Sequence, residues 1–479
     1  MKSQIIVKNF AWRLFERTGA QGVAFVVSII LARILEPEYY GTIALITVFI
    51  TIMNVFVDSG LGNALIQKKD ADSLDFSTVF FFNLFVCTVL YIVAFLSAPL
   101  IAWFYKDNEL VPLIRVLSVT ILISGIKNIQ QAYVSRNMLF HKFFFATLGG
   151  TLAAALAGIA LAYLGYGVWA LAAQQIVNVL IDTIVLWVLV KWRPTRQFSQ
   201  RRLKELLSYG WKLLVSSLLD AVYNNIRQLL IGKLYSSSDL AFYNRGRQFP
   251  HFFVSNINNS IDSVLLPAMS SGQDDKRQMK RMTRRAIKMS TYLMAPLMMG
   301  LAACADTIIP LALTEKWSPC IPFLRIFCIT FMFHPIHTAN LNAIKAMGRS
   351  DLFLRLEVIK KALGIVILVS TMWFGVMVMA YSLLFYSVLG QIINSWPNKK
   401  LLDYGYLEQL KDISPGILLS VLMAGGVYVM QFISLPIGLI LTLQIMAGAV
   451  FYMGMSWLLR LESFEYLLGM TQGFLRKRR

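Results

Sequence analysis

Charged and amide side chains lie at helical spacing in two stretches whose other residues are mostly apolar. The first stretch carries them at Arg13, Glu16, Arg17 and Gln21. The second carries them at Asp220, Asn224, Arg227 and Gln228. Residues three or four apart share one face of a helix, so each stretch predicts an apolar helix with one polar, cationic face. Because guanidinium groups bind phosphate oxygens through paired, charge-assisted hydrogen bonds, these faces favour an anionic ligand such as a pyrophosphate.

Further polar residues extend this prediction to a cavity with a binding surface and an ion site. The expected contacts to a pyrophosphate or to sugars are Arg17, Arg227, Arg13, Lys127, Asn224, Asn225, Asn256 and Asn259. The candidates for coupling to an H+ or Na+ gradient are Asp58, Asp182, Asp220, Asp262, Glu16, His334 and His337. Charges inside apolar helices are costly and usually mark a pathway or a partner. The alternative for each residue is a structural role, such as pairing of Glu16 with Arg13 or of Asp220 with Arg227 or Asn224.

The elements that position these residues are apolar segments of the length that crosses a bilayer. With 57% hydrophobic and 15% charged residues, a soluble chain would have too little polar surface to cover itself. Backbone groups in lipid must be satisfied within each segment, so each is predicted to be helical. The fourteen predicted segments are 11–35, 40–64, 76–98, 112–135, 143–164, 168–190, 206–232, 249–269, 286–311, 321–344, 357–374, 376–396, 413–433 and 436–459.

The distribution of basic residues sets the expected orientation. The formal net charge is +20, and most Lys and Arg residues fall in the loops on one side of the predicted segments. By the positive-inside rule this side is the cytoplasm, and both termini lie there. The basic clusters are therefore explained by topology and by anionic lipid headgroups, and they do not indicate a nucleic-acid partner.

An internal repeat organises the segments into two halves. Val111-Pro112-Leu113-Ile114-Arg115 returns about 200 residues later as Ile321-Pro322-Phe323-Leu324-Arg325, and Asp58-Ser59 returns as Asp262-Ser263. Six segments per half give both halves the same orientation, which predicts two pseudo-symmetric six-helix bundles around a central cavity. The expected divisions are an N-terminal lobe (1–190), a basic cytoplasmic linker (191–205), a C-terminal lobe (206–396), a second cytoplasmic linker (397–412), two additional transmembrane helices (413–460) and a basic cytoplasmic tail (461–479).

Sequence motifs for catalysis or metal binding are absent. The chain has no Gly-rich Lys-Ser/Thr phosphate loop, no His-Glu-x-x-His and no nucleophile elbow. Its four cysteines have no CxxC spacing and are expected to be free thiols. We therefore expect a transporter rather than an enzyme, without cofactors, driven by an ion gradient, the membrane potential or downstream consumption of its product.

Several motifs in order along the chain resemble one family. They are Leu31-Ala32-Arg33-Ile34-Leu35, the run from Asp58 to Lys69, Tyr243-Asn244, Leu266-Pro267-Ala268 and Glu315-Lys316-Trp317. Together they are similar to the Wzx-type polysaccharide flippases of the multidrug/oligosaccharidyl-lipid/polysaccharide (MOP) superfamily, within it the exporters of colanic and teichuronic acid. Arg245 and Arg247 depart from the family pattern, either as a substrate adaptation or as solvated residues at the outer rim.

The resemblance implies alternating access in the cytoplasmic (inner) membrane of a bacterium. A polyprenyl-pyrophosphate-linked oligosaccharide would cross from the inner to the outer leaflet for the synthesis of O-antigen, capsule or exopolysaccharide. Expected partners are membrane lipids and the polymerase and glycosyltransferases of the same pathway. The alternatives are a drug/cation antiporter of the same superfamily, which calls for a carboxylate-lined cavity, and a membrane polysaccharide polymerase, which calls for a long outer loop.

Overall fold

The computed structural model of the protein describes residues 19–58, 60–270, 272 and 275–476. Every regular element in these residues is a helix. The Cα positions group into two compact units, Met1–Ala241 and Phe242–Arg479. The prediction of an all-α protein is confirmed for the described residues.

The described residues of the first unit form nine helices and the start of a tenth. Its helices are α1 (Gly19–Ile34, described from residue 19), α2 (Pro37–Asp58), α3 (Leu61–Gln67), α4 (Ser73–Tyr105), α5 (Leu110–Leu117), α6 (Val119–Arg136), α7 (Phe140–Tyr163), α8 (Val168–Leu189) and α9 (Gln200–Leu234). Helix α10 (Ser237–Ser270) begins in this unit and continues into the second. Helix α9, which contains predicted segment 206–232, packs on α2, α3 and α4 of the first unit. The lobe boundaries derived from the repeat stay a prediction.

The second unit continues from α10 to the end of the chain. Its further helices are α11 (Lys276–Ala303), α12 (Ala305–Leu313), α13 (Ile321–Met332), α14 (His334–Ala346), α15 (Ser350–Thr371), α16 (Val376–Leu402), α17 (Tyr406–Val429), α18 (Ile437–Leu458) and α19 (Glu462–Arg476). Short 3-10 turns at Glu315–Cys320 and Met430–Phe432 extend α13 and α17.

Ten helical stretches of the described residues are long and apolar enough to cross a membrane, so the chain is a multi-pass membrane protein. They coincide with ten of the fourteen predicted segments. The other four segments, 11–35, 206–232, 249–269 and 357–374, coincide with α1, α9, α10 and α15. The described part of α1 is short, and α9, α10 and α15 fall outside the ten apolar stretches. A total of fourteen spans and the pseudo-symmetry of the two halves remain predictions.

Small residues let helices of the first unit approach closely. A Cβ atom at Gly150 of α7 would lie 2.8 Å from the carbonyl oxygen of Asn178 on α8, and one at Gly125 of α6 would lie 2.4 Å from Sγ of Cys87 on α4. Lipid offers no hydrophobic drive for helix association, so close van der Waals packing of this kind holds such bundles together. The Gly150 contact brings the polar face of α8 against α7.

A row of ion pairs joins the first half of α11 to later parts of the second unit. The distribution of basic residues predicts that this end of α11 is cytoplasmic. Lys276, Lys280, Arg284 and Lys288 follow one another at four-residue intervals on α11. Their respective partners are Asp403, Glu408, Asp412 and Glu462. Part of the basic cluster 276–288 is therefore a structural clamp that holds α17 and α19 on α11.

Candidate functional site

The first polar cluster lies among α2, α6 and α8 of the first unit. Nζ of Lys127 lies 3.0 Å from Oδ2 of Asp182, and Nδ2 of Asn128 donates to Oδ1 of Asp58 across 2.6 Å. Lys127 and Asn128 are neighbours on α6, so their side chains point in directions about 100° apart. One residue therefore reaches α8 and the other reaches α2. Two sequence candidates for ion coupling, Asp58 and Asp182, are bridged in this way by a single turn of α6.

The Lys127–Asp182 pair is largely withdrawn from solvent. The side chains are 17% and 15% exposed, respectively. Asp182 is the one charged residue of predicted segment 168–190, and its partner lies 55 residues earlier. Glycine at position 150 lets α7 lie close to α8 beside this pair, since a Cβ there would lie 3.0 Å from Cβ of Asp182. The structure thus brings together two predicted site residues, Lys127 from the binding set and Asp182 from the coupling set.

The second polar cluster lines a cavity of about 370 Å³ in the second unit. Its wall is contributed by α10, α13, α14, α15 and α16. The lining polar side chains are Asp262, Thr330, His334, His337, Thr338, Asn342, Lys345, Lys360, Tyr386 and Ser387. Three of the seven coupling candidates, Asp262, His334 and His337, therefore line one cavity. The two histidines lie one turn apart at the start of α14, and Asp262 comes from α10.

Each of these three residues contacts an asparagine amide. Nδ2 of Asn342 donates to Oδ1 of Asp262 across 2.6 Å. Nδ1 of His334 lies 2.6 Å from Nδ2 of Asn258, and Nδ1 of His337 lies 3.0 Å from Nδ2 of Asn394. The asparagines were not among the predicted site residues. They could have been recognised in the sequence because they occur within apolar helices. A side-chain amide there is costly unless it forms hydrogen bonds.

Lys360, near the start of the predicted segment 357–374, is a wall residue that was not among the predicted site residues. It is 9% exposed, and its Nζ lies 2.5 Å from Oε1 of Glu357, three residues earlier on α15. The helix begins at Ser350 rather than at the predicted residue 357. Lys360 therefore lies in the interior of the observed helix and not in its first turn, and the Glu-x-x-Lys spacing was the available signal.

The predicted polar face of α9 is described from residue 200 onward. Asp220 and Asn224 are exposed and Arg227 is half-buried. Nδ2 of Asn225 donates to the carbonyl oxygen of Ala221 across 2.8 Å, one turn earlier on its own helix. The amide of Asn225 is therefore engaged locally, whereas Asn224 lies at an accessible position of the same face.

Other predicted residues fall elsewhere or cannot be placed. Nδ2 of Asn256 donates to the carbonyl oxygen of Phe252 across 2.7 Å, also within its own helix. Asn259 lies in α10, and its side chain is outside the described part of the structure. Arg13, Glu16 and Arg17 lie outside the described residues as well.

Arg245 is buried instead of solvated. Its side chain is 4% exposed, its guanidinium carbon lies 4.9 Å from the ring centre of Trp317, and Nη1 donates to Oε1 of Gln248 across 2.7 Å. A cation over an indole face is stabilised by the ring quadrupole. Arg245 therefore packs against the Glu315-Lys316-Trp317 motif, and the interpretation as a solvated rim residue is wrong for it.

The charged and amide side chains of the two clusters are suited to binding polar groups. Within the described residues no three His, Cys, Asp or Glu side chains are grouped to hold a metal ion. Each cluster contains an aspartate that accepts a hydrogen bond from an asparagine amide, and each also contains a lysine. Such groups can bind polar parts of a ligand and exchange a proton or cation as their partners change.

Comparisons with known proteins agree with this architecture. The model of a family described as polysaccharide biosynthesis protein matches residues 30–322. The teichuronic acid biosynthesis protein TuaB of Bacillus subtilis is 28% identical over 64% of this chain and 63% of its own length, so the matched region covers less than two thirds of that relative. The lipopolysaccharide biosynthesis protein WzxC of Escherichia coli is 23% identical over 75% of this chain and 73% of its own length.

Solved structures with the same fold are transporters of the MOP superfamily and a lipid flippase. The lipid II flippase MurJ, in an inward closed conformation, superposes with a TM-score of 0.76 over 94% of this chain and 98% of its own, at 14% identity. An inward-facing multidrug transporter of the MATE family gives a TM-score of 0.59 over 83% of this chain and 95% of its own, at 16% identity. The structural likeness establishes the fold, and the matched family model, which covers more than half of the chain, shows that the protein belongs to the polysaccharide biosynthesis protein family.

Proposed function

We propose that this protein moves a polyprenyl-pyrophosphate-linked oligosaccharide from the cytoplasmic to the outer leaflet of a bacterial cytoplasmic membrane. The observation that carries the proposal is the cavity of the second unit, which lies among apolar helices and combines apolar side chains with carboxylate, lysine, histidine, amide and hydroxyl groups. A cavity of about 370 Å³ is within the size range of pockets that hold a small polar ligand. The relatives TuaB and WzxC are biosynthesis proteins for teichuronic acid and lipopolysaccharide, and the structural neighbour MurJ is a lipid II flippase, which supports a cargo of this class.

The residues of the chain supply three kinds of interaction in this proposal. Arg17 and Arg227, followed by Arg13 and Lys127, contact the pyrophosphate, because arginine forks bind phosphate oxygens in pairs. The amides of Asn224, Asn225, Asn256 and Asn259 contact sugar hydroxyls. The polyprenyl chain stays in the lipid, because transfer of its apolar surface from lipid into a water-filled cavity would be unfavourable.

Coupling to an ion gradient is assigned to the carboxylates and histidines of the two clusters. Asp58 and Asp182 lie around α6 of the first unit, and Asp262, His334 and His337 lie in the cavity of the second. Asp220 and Glu16 belong to the polar faces of the seventh and first predicted segments. Protonation or cation binding at such a carboxylate changes its bond to an amide or lysine partner, and that change biases one helix arrangement over another.

The experiment measures the sidedness of a lipid-linked oligosaccharide in proteoliposomes. The fraction of oligosaccharide cleaved by an external glycosidase is followed with and without an imposed H+ or Na+ gradient. We expect protein-dependent movement between leaflets, faster under one gradient. No movement together with longer product chains would indicate a polymerase and would refute the proposal.

The same assay tests the phosphate contacts. Arg227→Ala is expected to lower the rate at least ten-fold while membrane abundance stays normal, and Arg227→Lys to recover only part of it, because an ammonium group lacks the fork geometry. Arg17→Ala should behave in the same way. Normal transport by both alanine variants would remove these arginines from the binding site.

A further inference from the structure

Fully buried polar side chains join three helices of the second unit at their ends nearest the 403–405 turn. Nδ2 of Asn340 on α14 donates to Oε1 of Gln409 on α17 across 2.8 Å, and Nε2 of Gln409 donates back to Oδ1 of Asn340 across 3.0 Å. Asn398 of α16 donates to Oδ1 of Asn340 across 2.7 Å, and Ser395 donates to Oε1 of Gln409 across 3.0 Å. All four side chains are 0% exposed. We call these four residues the amide seam.

Gln409 falls in the predicted linker 397–412, but its side chain is fully buried in the amide seam. Its carboxamide forms a reciprocal pair with that of Asn340, and its Nε2 also donates to the carbonyl oxygen of Tyr404 across 3.2 Å. A buried amide that loses its partner is left unsatisfied, which is costly in an interior without water. Gln409 therefore links the start of α17 to α14 and α16, beside the hydrogen bond from Tyr406 of α17 to Gln391 of α16.

The seam continues along the same two helices to the cavity. His337, a cavity residue, lies three positions before Asn340 on α14, and its partner Asn394 directly precedes Ser395 on α16. The α14–α16 contact at this level is close, since a Cβ atom at Gly390 would lie 3.1 Å from Cε1 of His337. Any shift of α17 that moves Asn340 also moves the turn of α14 that carries His337.

We propose that Gln409 is a positioning residue for the transport cavity, and that α17, the first of the two helices beyond the repeat, is a working part of the cavity wall. Gln409 acts through Asn340, Ser395 and Asn398, which set the orientation of the cavity faces of α14 and α16. This inference rests on the proposed function for its effect on transport, but its structural consequence is measurable without substrate.

The test measures the accessibility of a cavity position in reconstituted full-length protein. Thr338, next to His337 and half-buried in the cavity wall, is replaced by cysteine, and its labelling rate by a soluble maleimide is recorded. The four native cysteines are buried and provide the background rate, measured without the substitution. The variant Gln409→Leu is expected to raise the labelling rate at least three-fold, because α14 is then no longer held against α17.

Gln444→Leu is the matched control. Gln444 is 1% exposed on α18, and its Nε2 donates only to the backbone oxygen of Val427 across 3.1 Å, away from the seam. It removes the same amide from a similarly buried position of the other additional helix, so it is expected to leave the labelling of Thr338→Cys unchanged. If Gln409→Leu does not accumulate in the membrane, Gln409→Glu is used, which keeps the acceptor oxygens and loses the donors.

The outcomes separate positioning from general destabilisation. In the transport assay, loss of the seam is expected to raise KM at least three-fold, whereas Gln444→Leu changes only abundance. Equal labelling rates in the Gln409 and Gln444 variants would overturn the inference. Suppose that the Gln409 variant is labelled faster and that the protein with Gln409 in place also transports no lipid-linked oligosaccharide. This result would support the positioning role and refute the proposed function.

Discussion

Asn128 donates a hydrogen bond of 2.6 Å from its amide to the carboxylate of Asp58, and this contact has a counterpart in the second unit. There Asn342 donates to Asp262, also across 2.6 Å. The two aspartates were matched by the sequence repeat, but the asparagines were not. Both asparagines lie on a helix that follows a break in an apolar stretch, α6 after Ser118 and α14 after Phe333. The same contact between a carboxylate and an asparagine amide therefore occurs in both units.

The first prediction concerns these two hydrogen bonds. Asn128→Leu and Asn342→Leu each remove the donor and leave the carboxylate without its amide partner. We expect each variant to lose about 1 kcal/mol of stability, the scale of interhelical hydrogen bonds in membrane proteins, and to shift the pH or Na+ dependence of transport. The measurement is the thermal midpoint in detergent together with the transport rate against pH.

Asn137→Leu serves as the control for these variants. Its amide donates to the backbone oxygen of Tyr133 at the exposed end of α6 and contacts no carboxylate in the described structure. We expect it to leave the ion dependence unchanged. Unaltered ion profiles in both Asn128→Leu and Asn342→Leu would show that the two contacts are structural only.

The second prediction separates pairing from binding at Lys127. Lys127→Gln leaves Asp182 without its cation, and the pair is neither fully exposed nor fully buried, so the expected cost is about 2 kcal/mol. Combining it with Asp182→Asn should cost less than the sum of the single changes, because neither charge is then left alone. A double-mutant cycle on the thermal midpoint measures this coupling.

Transport by the double variant decides whether Lys127 also contacts the substrate. If the lysine only balances Asp182, transport should recover along with stability. If it binds the pyrophosphate, transport should stay at least ten-fold low in a protein that is stable again. Strict additivity of the two stability losses would contradict the ion pair itself.

The sequence was sufficient to predict the class of fold and to single out three residues that the structure brings together, for clear physical reasons. A membrane-spanning helix must satisfy its backbone within about 20 apolar residues, so segment positions follow from local composition. Asp262, His334 and His337 stood out because charged or titratable groups are rare in such segments. The structure brings these three to one cavity.

What escaped the sequence analysis depends on contacts between distant segments. Asp182 was a coupling candidate with no assigned partner, because its partner Lys127 belongs to another helix. Lys360 was placed in the first turn of its predicted segment, because the charged residues before it lower the local hydropathy although the helix is continuous from Ser350. Gln409 was placed in the predicted linker 397–412, and its buried role arises from Asn340 on α14. Pairing across helices has no signal in the spacing of one segment.

The third prediction concerns the approach of α2 and α10 in the first unit. A Cβ atom at Gly41 would lie 1.7 Å from the backbone oxygen of Ser237. Gly41→Ala should therefore cost about 2 kcal/mol or more, since backbone atoms cannot move aside as a side chain does. Gly425→Ala on α17 is the control: no atom lies within 4 Å of its Cβ position, and alanine favours a helix by about 1 kcal/mol. Similar thermal midpoints for the two variants would contradict the close approach.

The last prediction concerns the segment between α8 and α9, which polar contacts fasten to the start of α4. Arg202 pairs with Asp72 and, across 3.4 Å, with Asp75. The backbone amides of Thr195 and Ser199 donate to the hydroxyls of Ser77 (2.9 Å) and Thr78 (3.1 Å). The hydrogen bond from Arg202, followed by backbone hydrogen bonds around Asp75, lowers the pKa of Asp72 to about 2.

A carboxylate whose pKa is lower in the folded protein than in the unfolded chain, where it is about 4, stabilises the folded state above that pH. This stability is lost as the pH falls from about 4 toward the pKa of the folded state. Protection of the Thr195 and Ser199 amides from hydrogen exchange, corrected for the intrinsic rate, should therefore persist from pH 7 to about 4 and decrease only toward pH 2. Arg202→Gln should reduce it already near pH 4. Arg201→Gln, which changes a neighbour that is 91% exposed, should behave as the unmodified protein; equal loss in both variants would mean that Arg202 does not fasten the segment.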